Sequence, residues 1–173
     1  LAQLPKLPEL IDEFRDAAQK RANGSADAAS EIKSLRDATQ WKGTARDAAD
    51  DALNRRVSAF DASHEKDMAM VAAATAAHER AQKTVTDLNA LVNYAEQQPA
   101  CHIDEATNTI SPPNTSFLTD QAKAAAEMKF GDLQKQMQKV LSEGQEADFE
   151  FANAIRTGTG GQGAHSALQA QVA

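Results

Sequence analysis

Apolar residues recur at helical spacing along most of the chain. From Leu7 the stripe runs through Ile11, Phe14 and Ala18, then Ala28, Ile32 and Leu35. Pro8 suits the first turn of a helix, where its missing N–H has no intrahelical partner to lose. Arg21, Gly24 and Ser25 weaken the middle of the stripe, Gly24 by about 1 kcal/mol relative to Ala. One helix over about residues 7–40 is predicted. Trp41-Lys42-Gly43 then interrupts the pattern. Helical spacing resumes at once beyond it, with Thr44 and Asp47 spaced as a capping box.

The next segment is the most regular. No Gly or Pro occurs from Thr44 to Gln98, and a seam runs through Leu53, Val57, Phe60, His64, Asp67, Val71, Ala74, His78, Ala81, Val85, Leu88, Val92 and Ala95. Its steps alternate between four and three residues, the heptad spacing of helices that pack side by side. A helix over about 44–98 would be roughly 80 Å long at 1.5 Å per residue. It must lie along partners for most of that length. Pro99 ends it. Alternating residues on both sides of the polar run Asp104–Thr107 are compatible with a small β-hairpin capping the helix tip, or with a plain loop. A third stripe, Ala126, Phe130, Leu133, Met137, Val140, Gly144, Ala147, Phe151 and then Ala154 or Ile155, predicts a helix over about 117–156. Gly144 within it is a place for a kink or for close approach of a neighbour. Gly158, Gly160, Gly161 and Gly163 end regular structure, so 158–173 reads as a flexible Gly-rich tail or linker after a single bundle domain, 1–157.

A short connection makes consecutive helices antiparallel neighbours. Folding about residues 41–43 sets Ile32 against Leu53, Ala28 against Val57, Ser25 against Phe60, Phe14 against Val71 and Ile11 against Ala74. The predicted fold is all-α: an elongated antiparallel helical bundle with a W-x-G helix-turn-helix hairpin, a very long second helix, a third return helix and, at the tip, either a small β-hairpin or a plain loop. The helix-pairing seam is assigned to Ile32, Leu35, Leu53, Val57, Phe60, Val71, Phe130 and Leu133.

Composition supports helices over sheet. Of the 173 residues 42% are apolar, about half of those Ala, and only 5% are aromatic, whereas pleated faces favour β-branched and aromatic side chains. There is no run of 18 apolar residues, so no transmembrane segment is expected. Nor is there a basic, apolar leader of the general secretory type. Beginning at Leu1, the chain reads as a fragment or processed product. Its net charge of −7 without a basic block speaks against nucleic acid as a partner. A single cysteine excludes an internal disulfide and a thiolate metal cage.

Candidate chemistry is sparse. His64 and His78 share the seam but stand about four turns, roughly 21 Å, apart, too far to hold one metal ion. Arg21 is expected to meet His64 across the seam. Cys101 and His102 adjoin each other, but sequence neighbours in an extended segment seldom converge as nucleophile and base, and they read as a buried thiol beside a surface residue. Of the methionines, Met68 and Met137 are expected in the core, with Met70 and Met128 at its rim. No zinc-protease helix motif, phosphate loop or nucleophile elbow is present. Catalytic, cofactor-binding and metal residues are therefore none, and the chain is read as non-enzymatic.

Trp41 and Gly43 carry the most specific signal. An indole can plug a bundle end beside a Gly that lets the backbone turn. A W-x-G turn joining two long, Ala-rich helices resembles the WXG-type proteins of the type VII (ESX) secretion system of actinobacteria. The fuller layout over roughly 7–157 resembles the modules of that kind at the N-terminus of larger secreted proteins, some of which end in hydrolase or toxin domains. The resemblance implies a recognition or targeting module that pairs with another helical protein, a secretion chaperone or the machinery, cytoplasmic before export and afterwards secreted or in the cell envelope. The sequence departs from the family at the export motif: the lone Tyr94 is followed four residues on by Gln98 instead of an acidic residue. A self-associating coiled-coil scaffold, a homo-oligomer without an export role, is the alternative reading.

Overall fold

The computed structural model describes residues 1–38 and 42–159. Among them are a short 3₁₀ turn (Leu4–Lys6), three helices, α1 (Leu7–Ala38), α2 (Thr44–Glu96) and α3 (Asp120–Thr159), and two strands, β1 (His102–Asp104) and β2 (Thr109–Ser111), between α2 and α3. Three helices and the long second one are as expected, and of the two readings of 99–115 the structure has the hairpin; α3 begins and ends about three residues later than predicted. Gly158 therefore lies inside a helix that was expected to stop before it. Trp41 and the tail from residue 160 lie outside the described residues.

The chain divides into two compact units. The first comprises Leu1–Ile11 and Ala76–Phe151. Its core gathers Leu1, Leu88, Leu91, Ala95, Cys101, Leu133 and Val140, with Leu4, Tyr94, Ile103, Ile110 and Phe130 packed around them. The α3 stripe is as predicted: Ala126, Leu133, Val140 and Ala147 are buried and Phe130 is half-buried. The two strands pair antiparallel, with Ile103 opposite Ile110. Both isoleucines reach the core, which gives this two-stranded ribbon the apolar support it lacks alone. Asn108 takes a left-handed φ of 55° in the turn, a conformation Asn tolerates better than most residues. Gly144 resolves to close approach: a Cβ there would stand 2.5 Å from Leu4 Cδ2. The first residues, expected to be a mere lead-in, thus pack as core, and the Ala2 N–H donates to the Glu105 carbonyl at 3.2 Å.

The second unit comprises Asp12–Thr75 and the end of α3 from Ala152. Within it α1 and α2 run antiparallel side by side. Arg36 donates to Asn54 at 2.8 Å, Arg21 to Asp67 at 3.4 Å, and the Ser25 and Ser63 hydroxyls lie 3.4 Å apart. Ser25 therefore faces Ser63 and not Phe60, about one turn further along than the fold-back about residues 41–43 gave. Leu35 is corrected as a seam residue: it is 65% exposed. The buried stripe of α1 passes through Ala18, Ala22 and Ala29 and continues at Ile32 and Arg36, leaving Leu35 one residue, or about 100°, off the seam.

Candidate functional site

The connection between α1 and α2 begins the site. Gly43 has φ +95°, a region that is open to Gly and costly for side chains with a Cβ. Its carbonyl accepts from the Arg46 N–H at 2.9 Å and the Asp47 N–H at 3.1 Å. Gly43 thus stands at the cap of α2, and Thr44, expected to be the cap, is already its first helical residue. Further along this pair of helices His64 donates from Nδ1 to the Ala22 carbonyl at 2.8 Å, since a carbonyl only accepts. Arg21 reaches Asp67 instead of His64. Ile32, Leu53, Val57, Phe60 and Val71 are all half-buried, and no residue of α2 before Asp67 is fully buried.

From Asp67 onward the seam closes. Asp67, Ala74, Ala81, Leu88 and Ala95 are buried as expected. The second row, however, is Met70, Ala77, Thr84 and Leu91, while Val71, His78, Val85 and Val92 are half-buried beside it. Met70 consequently replaces Met68 in the core; Met68 is exposed and Met137 half-buried. Thr84 satisfies its buried hydroxyl on the Arg80 carbonyl at 3.0 Å.

Two polar clusters mark the first unit. One is a groove of about 510 Å³ lined by Glu79, Arg80, Lys83, Glu143, Glu146 and Glu150, among others. Arg80 pairs with Glu146 at 2.5 Å and Glu150 at 3.1 Å, and Lys83 with Asp87 at 2.6 Å and Glu143 at 3.3 Å. The Lys83 ammonium holds the Asp87 carboxyl below the usual carboxylate range, and Asp87, then Glu143, raises Lys83. These cations of α2 are matched to carboxylates of α3, which fixes helix pairing more than it offers a ligand an empty site. The other cluster is at the end of α2. Lys129 of α3 is 7% exposed and donates to the carbonyls of Ala95, Gln97 and Pro99. Its charge meets the negative end of the α2 dipole and the face of Tyr94. The pattern of apolar positions missed Lys129 because it is charged, although it lies on the Ala126–Leu133 face.

Beside this cluster Cys101 is buried and His102 exposed, as expected. The Asp104 side chain accepts from the Thr107 hydroxyl and the N–H groups of Thr107 and Ala106, which lowers its pKa. Among the described residues no group of three or more His, Cys, Asp or Glu is placed to hold a metal ion, and none of the described helices is long and apolar enough to cross a membrane. No known protein family, curated protein or solved structure matches the chain.

Proposed function

We propose that the chain is a non-enzymatic helical recognition and targeting module of a type VII (ESX) secretion substrate, or of a protein that accompanies one. The observation that carries this reading is Gly43, in the left-handed region and capping α2, two residues after Trp41 and between two long helices that face each other. The hairpin between α2 and α3 and the third helix support it, because the resemblance implies the same order of elements. In this reading Trp41 and Gly43 set the turn and present it to the machinery, and a helical partner or chaperone binds where the α1–α2 seam is incompletely closed. Export of the full-length protein tests it. Secretion is expected to stop in a strain lacking the secretion ATPase and to fall with Gly43→Val; export that continues without the ATPase contradicts it.

A scaffold built by self-association is the second reading, favoured by the heptad rows of α2. Light scattering across a concentration series separates the two. A strictly monomeric chain argues against the scaffold.

A further inference from the structure

We propose that the peptide bond between Phe117 and Leu118 is a processing site for an endoprotease that selects an aromatic side chain, and that the cut chain stays together as two associated pieces. This concerns how the chain is cut and does not rest on the recognition reading above. A protease takes its substrate as an extended strand, so a bond held in a helix must first be freed by local unfolding, whereas exposed loops with small polar residues are the preferred places for a cut. Six phenylalanines and one tyrosine are the candidates among the described residues. Phe14, Phe60, Tyr94, Phe130, Phe149 and Phe151 all lie within α1, α2 or α3. Phe117 lies between β2 and α3, outside every described helix and strand. It is 95% exposed, against 61% for Phe149.

The bonds around Phe117 are local. The Ser116 N–H donates to the Asn114 side-chain oxygen at 3.1 Å, and the Leu118 N–H to the Thr115 carbonyl at 3.1 Å. Both close within three residues, so opening them leaves the helices and the hairpin in place. Pro112 and Pro113 hold the approach out of helical conformation. Leu118 is half-buried, which makes the solvent-facing ring of Phe117 the one that an apolar specificity pocket can take. The protease's nucleophile attacks the Phe117 carbonyl carbon, the C–N bond to Leu118 breaks with a proton going to the leaving nitrogen, and one water then releases Phe117 as a carboxylate. The cut spares α3, which begins at Asp120 and keeps the Thr119 hydroxyl as acceptor for the Ala122 N–H at 3.3 Å. α3 also keeps its hold on α2. Lys129 stays on the carbonyls of Ala95 and Pro99, Arg80 on Glu146 and Glu150, and Leu133 in the core beside Leu88 and Leu91.

The test is a time course of the full chain with a small amount of chymotrypsin, quenched at intervals and read by mass spectrometry. Among cuts after phenylalanine and tyrosine, the one after Phe117 is expected first. Phe117→Gly, with helicity checked by circular dichroism, is expected to slow cleavage of that bond by more than about tenfold. The pieces 1–117 and 118–173 are expected to elute together from a sizing column under native conditions and to separate in denaturant. A cut after Phe149 or another helical aromatic that precedes the one at Phe117, or a Phe117→Gly chain cut at the same bond at the parent's rate, overturns the processing site. Pieces that elute apart under native conditions overturn the associated two-piece form.

Discussion

The ammonium of Lys129 lies 5.0 Å from the centre of the Tyr94 ring. From there it closes the end of α2, donating to the Ala95 carbonyl, which also accepts from the Cys101 N–H at 2.9 Å, and to the carbonyls of Gln97 and Pro99 just beyond the helix. Replacing it with Met keeps the length of the side chain and removes the donors. Three carbonyls then lose their shared partner in a largely buried site. Lys129→Met is expected to destabilise the chain by about 2 kcal/mol, read from the midpoint of urea unfolding. Amide exchange over the hairpin is expected to rise more than over the middle of α3. A variant as stable and as protected as the parent contradicts the role.

Gly144 and Leu4 form a matched pair. A Cβ at residue 144 would press on Leu4 Cδ2, so Gly144→Ala must displace a packed side chain, at a cost of about 1–2 kcal/mol. In a Leu4→Ala background the obstruction is gone, and the same substitution should gain up to about 1 kcal/mol from helix propensity. A double-mutant cycle by denaturant unfolding checks the change of sign. Equal effects in both backgrounds would show that the contact is not what excludes a side chain.

Stability should respond to pH on the acid side through Asp104 and Asp87, both of which titrate below their ordinary range in the folded chain. A depressed folded value means that the contribution is fully present above the unfolded value, about 3.9, and is lost as pH falls through the folded one. Asp104→Asn should therefore lower the melting temperature by a constant amount at neutral and mildly acidic pH, and the difference should shrink below the ordinary carboxylate range. Lys83 is raised, so its contribution is present below the ordinary lysine value and is lost as pH rises through the folded one. Melting curves of Asp104→Asn and Lys83→Met over the two ranges measure this. A difference from the parent that is flat through the acid range contradicts the Asp104 assignment.

Long amphipathic helices were legible because their stripes are periodic, and the stripe of α3 could be read almost residue by residue. The small hairpin was legible as one of two readings, from alternation around a polar turn. The second buried row of α2 was not, because Ala77 and Thr84 carry little hydrophobic signal while the valines of the adjacent row carry more. Leu35 misled for the complementary reason: it is strongly apolar, yet a drift of one residue takes it off the stripe. Lys129 escaped because a charged side chain reads as surface until the carbonyls it serves are brought to it from a distant part of the chain. Leu1 and Leu4 looked like a lead-in, since nothing in a few residues shows which groove they fill.

The pairing of α1 with α2 underlies both the fold and the proposed role, and a designed cross-link tests it most directly. The hydroxyls of Ser25 and Ser63 lie 3.4 Å apart, so Ser25→Cys with Ser63→Cys should form a disulfide within one chain under mild oxidation. Non-reducing electrophoresis and mass spectrometry should find it in the monomer, at dilutions where chains do not meet. Cysteines that stay free under those conditions, or that link only between chains, would contradict the side-by-side arrangement and with it the proposed recognition role.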